Sequence, residues 1–253
     1  MRKARFFMLG YPFVYVVDDR GFPYGSWEDR ALRQHLSCLF ARVLEQYKPL
    51  LCVIACNTAS TLMLDQLRAN FPNYCFVGTV PAIKPAAACS LSGLISVLAT
   101  PGTVHGTYTR NLITAHAGQC SVYLVGSKIL SIVAESYLRG IMVDLRRIQE
   151  EIFPCFVQKN GKRTDIVVLA CTHYHFLKKF FHDVSPWPVL WLDPSEAIVQ
   201  RIVSLLPSCK VTPSTEQKDI ACFTSGRVSY STRRLFHGFG LICEEMVGSI
   251  DLI

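Results

Sequence analysis

The sequence predicts an α/β fold built on parallel sheets, and two patterns indicate it. Short, continuously apolar runs of strand length alternate along the chain with segments whose apolar residues recur at helical spacing. Strands without polar alternation are buried on both faces, and such strands belong to parallel sheets covered by helices. Of the 253 residues, 50% are hydrophobic, which is enough for a large buried core.

The apolar runs supply the predicted strands. They are bounded by turn residues and are rich in Val, Ile and Leu, as buried parallel strands are. In chain order the predicted strands are Phe13–Val17, Leu50–Ala55, Tyr74–Gly78, Leu94–Ala99, Ser121–Val125, Ile166–Ala170, Val189–Leu192 and Asp219–Thr224.

Helical spacing predicts helices between these strands. Ser26 is the expected N-cap of the first helix, with Asp29 as its capping-box partner, and Lys48-Pro49 ends that helix. The segments Pro154–Thr164 and Pro207–Gln217 are predicted loops. The remaining helices are predicted at Thr58–Asn70, Ile83–Cys89, Val104–His116, His175–Asp183, Glu196–Leu205 and Ser231–Phe239, with two more between Leu130 and Phe153.

The net charge of +7 does not by itself identify a partner. Basic residues occur mostly in ones and twos, and no long basic run contains interleaved aromatic residues. Nucleic acid is therefore not a favoured partner. An apolar, uncharged stretch at 85–109 is interrupted by Gly93, Pro101 and Gly102, so no membrane span is predicted. The N-terminal stretch Met1–Val17 resembles a signal peptide but lacks a small-residue cleavage site.

The eleven cysteines favour free thiols. Their number is odd and no two have CxxC spacing, whereas a secreted disulfide framework is more regular. A reducing cytoplasm is therefore the expected compartment. No cysteine or histidine spacing resembles a zinc site, and no P-loop or GxGxxG lies between a strand and a helix. Neither a metal nor a cofactor is predicted.

An internal repeat singles out two of the cysteines. The segments 49–58 and 164–173 are both buried-type strands that end in Ala-Cys and continue with two hydrogen-bonding residues. Ligands gather at the carboxyl ends of parallel strands. Two similar units facing each other would therefore place Cys56 and Cys171 on opposite sides of one cleft.

Two opposed thiols suit a racemase, which removes the Cα proton from one face and returns a proton to the other. The pKa of an unperturbed thiol is about 8.5, and local donors or cations lower it. A single cysteine after an apolar strand is more often a small buried hydrophobe. That structural role is predicted for Cys38, Cys52, Cys75, Cys89, Cys120, Cys155, Cys209, Cys222 and Cys243. The residues alone thus indicate a two-cysteine site in an α/β protein.

At these positions the chain resembles the glutamate racemases over nearly its whole length. Ala55-Cys56-Asn57-Thr58-Ala59-Ser60 is similar to the first catalytic motif of that family, and Ala170-Cys171-Thr172-His173-Tyr174 to the second. Further similarities are the turn Pro23-Tyr24-Gly25, the stretch Leu98–Thr103 with its two threonines, Glu135 at the place of an active-site carboxylate, Asp193-Pro194 and Phe223–Gly226.

The resemblance implies two pseudo-symmetric, doubly wound parallel-sheet domains with the active site in the cleft between them. Residues 1–79 and 193–253 would form the first domain, and residues 80–192 the second. The implied reaction interconverts L- and D-glutamate for peptidoglycan synthesis without a cofactor. Cys56 would act on the proton of the D-isomer and Cys171 on that of the L-isomer, with His173 assisting Cys171. The implied substrate-binding residues are Tyr24, Gly25, Asn57, Thr58, Thr100, Thr103, Glu135 and Thr172.

The chain departs from the family pattern at its start. Family members open with a strand and an Asp-Ser-Gly loop that contacts the substrate amine, and Met1 lies too late for both. We expect the natural start to lie about two dozen residues upstream, judged from usual element lengths, and the chain as given to fold poorly or to be inactive. His175, where the family usually has proline, is a smaller departure with little expected effect.

Three other functions stay open on sequence grounds. An aspartate racemase or a related amino-acid racemase is the nearest, although the Cys-Thr-His-Tyr motif favours glutamate. An inactive protein that binds an acidic amino acid is the second, because of the missing loop. An interaction with nucleic-acid enzymes is the third, suggested only by the positive charge. Glutamate itself is the expected partner, and a homodimer is compatible with the sequence.

Overall fold

The computed structural model describes residues 11–206 and 218–245, in which parallel sheets are flanked by helices. The strands are β1 (Val14–Val17), β2 (Cys52–Ile54), β3 (Phe76–Gly78), β4 (Leu94–Ala99), β5 (Ser121–Gly126), β6 (Gln158–Lys159), β7 (Lys162–Arg163), β8 (Ile166–Ala170), β9 (Leu190–Leu192), β10 (Ile220–Phe223) and β11 (Ile242–Glu245).

Helices follow most of these strands. They are α1 (Asp29–Tyr47), α2 (Asn57–Asn70), α3 (Ile83–Cys89), α4 (Pro101–His105), α5 (Thr107–His116), α6 (Leu130–Leu138), α7 (Leu145–Ile152), α8 (Lys178–Val184), α9 (Ser195–Leu205) and α10 (Tyr230–Gly238). Short 3₁₀ turns occupy Tyr24–Ser26, Phe153–Cys155 and Tyr174–Leu177. The predicted α/β class with parallel sheets is confirmed.

The central sheet has four parallel strands in the order β5-β4-β8-β9. Every residue of β4 and β8 is buried, which explains why both strands are apolar in sequence apart from Ser96, whose hydroxyl donates to the Cys155 carbonyl at 2.7 Å. Their side chains alternate between two apolar layers. One layer contains Leu98, Leu169 and Trp191, and the other contains Ile95, Val97 and Val168.

The other parallel strands form two smaller sheets. β10 pairs with both β1 and β11, so a three-stranded sheet joins the N-terminal part of the chain to its C-terminal part. β2 pairs with β3 in a separate two-stranded sheet. Beside it, α1 and α2 bury a shared apolar stripe that includes Leu36, Met63 and Leu67. This packing fixes the start of α2, where Cys56 lies.

Several local predictions were wrong. Ser26 does not cap the first helix: its hydroxyl donates to the Pro23 carbonyl at 2.9 Å, and Glu28 occupies the N-cap without a side-chain bond. The predicted helix Val104–His116 is two helices that meet at Gly106. The predicted loop Pro154–Thr164 contains the antiparallel hairpin β6-β7.

Other predictions missed elements or cannot be assessed. Strand β11 was not predicted. Cys209 and the loop Pro207–Gln217 lie outside the described residues. Within residues 11–206 and 218–245, no helix combines the length and the apolar character needed to cross a bilayer.

Candidate active site

The two repeated cysteine motifs meet at the carboxyl ends of β2 and β8. Cys56 is the N-cap residue of α2, and Cys171 directly follows β8. The Thr172 hydroxyl donates to the Ala55 carbonyl at 3.2 Å. This bond links the residue after one cysteine to the residue before the other. The structure therefore brings the two motifs together from separate sheets.

Two opposing influences set the pKa of the Cys56 thiol. Burial raises the pKa, while the backbone N–H groups of Ala59 and Thr58 and the Thr58 hydroxyl lower it. These N–H groups belong to the first turn of α2, where backbone donors have no partner within the helix. The result is a pKa above the ordinary thiol value, at a sulfur surrounded by donors that can stabilise a thiolate.

Cys171 is more enclosed, at 6% exposure. Burial raises the pKa of its thiol to about 12, and the charge of a Cys56 thiolate adds to that rise. The backbone N–H groups of His173 and Tyr174 act in the opposite direction. Because a charge on the Cys56 sulfur raises the pKa of the Cys171 thiol, the two thiols resist simultaneous ionisation.

His173 connects Cys171 to a carboxylate. Its Nδ1 lies 3.9 Å from the Cys171 sulfur, and its Nε2 lies 3.1 Å from an oxygen of Glu135. The hydrogen bond to His173 is the main cause of a lowered pKa at Glu135. Arg139 donates to the second Glu135 oxygen at 3.4 Å. The Phe22 ring packs against the imidazole with ring centres 5.3 Å apart and the ring planes tilted by 48°.

Three buried threonines form a hydroxyl cluster beside Cys56. The Oγ1 atom of Thr58 lies 2.8 Å from that of Thr100 and 3.3 Å from that of Thr103. Thr100 and Thr103 are also 3.3 Å apart, oxygen to oxygen. Thr58 lies in the first turn of α2, whereas the other two belong to the start of α4. The cluster thus joins the Cys56 side to the central sheet.

The Tyr24–Gly25 turn packs directly on this cluster. A Cβ atom added to Gly25 would lie 2.6 Å from the Thr100 Cβ, a distance that only glycine avoids. The Tyr24 hydroxyl donates to Asp18 at 2.5 Å, and burial raises the pKa of that hydroxyl well above its usual value. The Tyr24 hydroxyl is therefore hydrogen-bonded within the protein.

Asn57 is buried at 2% exposure, and neither its amide nitrogen nor its amide oxygen has a hydrogen-bond partner among the described residues. An unpaired buried amide costs on the order of 1–3 kcal/mol. Such a side chain next to Cys56 is suited to a polar ligand.

The predicted site residues thus form one contiguous group. Direct contacts connect Thr58 with Thr100 and Thr103, Gly25 with Thr100, Thr172 with the Cys56 motif, Cys171 with His173, and His173 with Glu135. Four residues near the site were not predicted from the sequence: Asp18, Phe22, His35 and Arg139. Asp18 could have been predicted, because it directly follows a predicted strand and site residues lie at the carboxyl ends of parallel strands. No cluster of three or more metal-ligating side chains occurs in the described part of the chain.

Curated relatives show high identity along most of the chain. The glutamate racemase of Rhizobium meliloti is 54% identical over 241 residues, which covers 95% of this chain and 87% of the relative. The glutamate racemase of Bartonella henselae is 54% identical over 243 residues, covering 95% of this chain and 90% of the relative. No protein-family model matches the chain.

Solved structures agree in fold. The Escherichia coli glutamate racemase in complex with L-glutamate and the activator UDP-MurNAc-ala has a TM-score of 0.84 at 30% identity, covering 96% of this chain and 91% of that chain. The Francisella tularensis glutamate racemase in complex with D-glutamate has a TM-score of 0.76 at 18% identity, covering 97% and 91%. The second likeness concerns the fold alone.

Proposed function

The chain belongs to the glutamate racemase family, and we propose that it interconverts L- and D-glutamate with Cys56 and Cys171 as the two acid/base groups. The observation that supports this assignment most directly is the bond from the Thr172 hydroxyl to the Ala55 carbonyl, 3.2 Å long. It connects the two cysteine motifs across separate sheets. The product D-glutamate would supply peptidoglycan synthesis.

The reaction proceeds by two proton transfers at one carbon. A thiolate removes the Cα proton and becomes a thiol, and the electron pair of the broken C–H bond remains as a carbanion. The opposite thiol then protonates the other face and becomes a thiolate. Cys171 removes the proton of L-glutamate and Cys56 that of D-glutamate, as the family resemblance implies. The two sulfurs exchange protonation states in each turnover.

The raised thiol pKa values fit this exchange. At neutral pH both sulfurs favour the protonated form, because burial disfavours the thiolate. One of them must nonetheless ionise to act as the base. The backbone N–H groups around each sulfur supply the stabilisation, and mutual repulsion keeps the partner protonated as the acid. His173 assists Cys171 through its Nδ1, while Glu135 orients the imidazole.

Hydroxyls, amides and backbone donors bind the substrate. The unpaired Asn57 amide, the threonine cluster and Thr172 would bind glutamate carboxylates or its ammonium group, and the Tyr24–Gly25 backbone would close the site beside Thr100. Carboxylates form short, strong hydrogen bonds with such donors. These roles are proposed for Tyr24, Gly25, Asn57, Thr58, Thr100, Thr103 and Thr172. Glu135, whose carboxylate accepts hydrogen bonds, would contact the substrate ammonium group in addition to orienting His173.

The domain division is proposed on the same grounds. All four strands of the central sheet lie within residues 80–192, whereas the three-stranded sheet combines β1 with β10 and β11. This supports a first domain made of 1–79 and 193–253 and a second made of 80–192. A cytoplasmic location is proposed because all ten cysteines among the described residues are free thiols, as the mechanism requires.

A homodimer also remains a prediction. Large apolar side chains are exposed next to one another in sequence at Ile141, Met142 and Leu145, with Met142 at 94% exposure. Exposed apolar surface of this kind often marks an interface. Light scattering on the purified protein would give the mass in solution directly.

Single cysteine substitutions test the proposed mechanism. We expect Cys56→Ser and Cys171→Ser each to lower kcat by at least about 100-fold, the usual contribution of general acid/base catalysis. Cys89→Ser is the matched control, since Cys89 is exposed and outside the site. Circular dichroism of L- and D-glutamate, without added cofactor, follows both directions. Retained activity in either active-site variant would reject the assignment, and faster turnover of aspartate would favour the aspartate alternative.

A further inference from the structure

Asp18 is a buried carboxylate to which the proposed mechanism gives no role. It follows β1, and its side chain is 7% exposed. Three groups meet it: the Tyr24 hydroxyl donates to Oδ2 at 2.5 Å, the His35 Nε2 lies 2.5 Å from the same oxygen, and the Thr224 hydroxyl donates to Oδ1 at 2.7 Å. A buried carboxylate persists when donors satisfy it in this way.

The three partners of Asp18 belong to different elements. His35 lies in α1, Thr224 follows β10, and Tyr24 opens the turn that packs on the threonine cluster. A single carboxylate therefore fixes the turn relative to both the three-stranded sheet and α1. Among the described residues, Asp18 is the charged group to which the Tyr24 hydroxyl is hydrogen-bonded.

The surroundings of His35 indicate that Asp18 must accept its hydrogen bond. The His35 side chain is 4% exposed and packs against Trp27 with ring centres 5.1 Å apart and the ring planes tilted by 37°. Its Nδ1 is buried and has no hydrogen-bond partner among the described residues. A donor at Nδ1 would be an unpaired buried N–H, so the proton belongs on Nε2, where it is donated to Asp18.

The chain packs closely at both ends of the turn. A Cβ atom added to Gly21 would lie 2.3 Å from the Asp18 Oδ2 and 2.6 Å from the Tyr24 ring. At the other end of the turn, Gly25 is in contact with Thr100, which in turn meets Thr58 beside Cys56. A displacement of Tyr24 would therefore reach the hydroxyls that bind substrate.

We infer that Asp18 is a positioning residue of the racemase: its carboxylate, through Tyr24, holds the Tyr24–Gly25 turn in the position that binds the substrate. The inference rests on the proposed function, since that function assigns the turn to substrate binding. Asp18 itself does not take part in proton transfer. Its effect is on KM for both isomers, because the turn contacts substrate whichever face of Cα reacts.

Asp18→Asn tests this with little change in shape. All three neighbours of Asp18 donate, two to Oδ2 and one to Oδ1. With the new NH₂ group directed at Thr224, whose hydroxyl can also accept, the Tyr24 hydroxyl and His35 donate to a neutral amide oxygen in place of a carboxylate, which weakens both bonds. We expect KM for L- and D-glutamate to rise about tenfold, the effect of replacing charge-assisted hydrogen bonds by neutral ones, with kcat changed less than about threefold.

Asp183→Asn is the matched control, because the neighbouring Asp19 also accepts from the Thr224 hydroxyl at 3.2 Å and so belongs to the same network. Asp183 is an exposed carboxylate of α8, and its substitution should leave KM unchanged. A merely structural role of Asp18 would lower the fraction of folded protein, which reduces the apparent kcat and leaves KM as it is. The split between KM and kcat therefore separates positioning from stability.

If Asp18→Asn does not fold, Tyr24→Phe tests the positioning role of Asp18 instead. It removes only the hydroxyl that Asp18 binds and leaves the His35 and Thr224 contacts intact, and KM should rise in the same direction. A wild-type KM in a folded Asp18→Asn protein, or in Tyr24→Phe, overturns the inference. Cys56→Ser and Cys171→Ser belong in the same assay: if they stay active, the proposed function fails, whereas their inactivity beside an unchanged KM rejects only the role of Asp18.

Discussion

The two cysteines share a local sequence pattern but have different surroundings. Cys56 lies at the start of α2, where backbone N–H groups and the Thr58 hydroxyl face its sulfur. Cys171 follows a strand of the central sheet, where the imidazole of His173 and the carboxylate of Glu135 stand in line. Backbone dipoles and a hydroxyl stabilise a thiolate at Cys56. At Cys171, the ionisable side chains of His173 and Glu135 act in addition to backbone N–H groups.

The two copies of the motif therefore carry out the same proton transfer in opposite directions, although the groups around the two sulfurs differ. Enantiomers have equal free energies in water, so kcat/KM must be the same in both directions whatever the two environments are. The asymmetry can appear only in the separate values of kcat and KM and in their response to pH or substitution. Experiments that change one side at a time therefore measure the contrast between the two sulfurs.

Among the residues that surround the two sulfurs, the largest effect is expected at His173. His173→Asn removes the imidazole that lies 3.9 Å from the Cys171 sulfur while keeping a polar side chain. We expect kcat to fall by about 100-fold, at the lower end of the range for loss of a general acid/base group. Circular-dichroism rates in both directions measure the loss.

The control for this substitution is His182→Asn, because His182 is an exposed residue of α8 away from both cysteines. It should keep full activity. If His173→Asn kept more than a third of wild-type kcat, the imidazole would be structural, and the two sulfurs would differ less than the geometry indicates.

The pH dependence of kcat/KM probes both sulfurs together. Burial raises the pKa of both thiols, so the protonated form dominates at neutral pH and the thiolate fraction grows as pH increases. We expect kcat/KM to rise by up to about tenfold per unit between pH 6 and pH 8, as for any base titrating below its pKa. Circular dichroism in the far ultraviolet, in the same buffers, controls for unfolding. A flat profile over this range would mean that the N–H groups outweigh burial at the reacting sulfur.

The contrast between the sulfurs was only partly predictable from sequence. The Ala-Cys repeat placed both cysteines after parallel strands, because continuous apolar runs are typical of such strands. The prediction that both strands are buried was right for β8 and wrong for β2, where Val53 is 37% exposed. The Asp18–His35 contact was not visible, since tertiary packing joins two elements that no periodicity connects. Apolar spacing in α1 identifies Leu32 and Leu36 as core residues and gives no sign that His35, beside them, is buried too.

Errors in the predicted elements have equally local causes. The β6-β7 hairpin is short and its strands are polar, so apolar periodicity missed it, although Asn160-Gly161 with positive φ angles is a strong hairpin turn. Gly106 splits a segment that reads as one helix. β11 ends in two glutamates and was therefore not recognised as a strand.

A smaller effect is expected at Thr58, on the Cys56 side. Thr58→Val keeps the branched shape but removes the hydroxyl that lowers the pKa of Cys56. We expect kcat/KM to fall by about tenfold, the value of one hydrogen bond to a charged group. Thr58→Ser keeps the hydroxyl and should stay within about threefold of wild type. Equal losses in both variants would show that packing of the methyl group, rather than the hydroxyl, is responsible.

The smallest effect is expected at Arg139, at the outer end of the Cys171 side. Its guanidinium contacts Glu135 at 3.4 Å, but the two side chains are 56% and 30% exposed, so water and salt screen the pair. Arg139→Ala should lower kcat by no more than about fivefold, and about 0.5 M salt should reduce the wild-type rate toward that of the variant. Arg147→Ala, a substitution in the neighbouring helix α7, is the charge-matched control. A loss above about 20-fold would show that Glu135 cannot orient His173 without this cation. Arg139 would then join Glu135 as a residue that positions His173 beside Cys171.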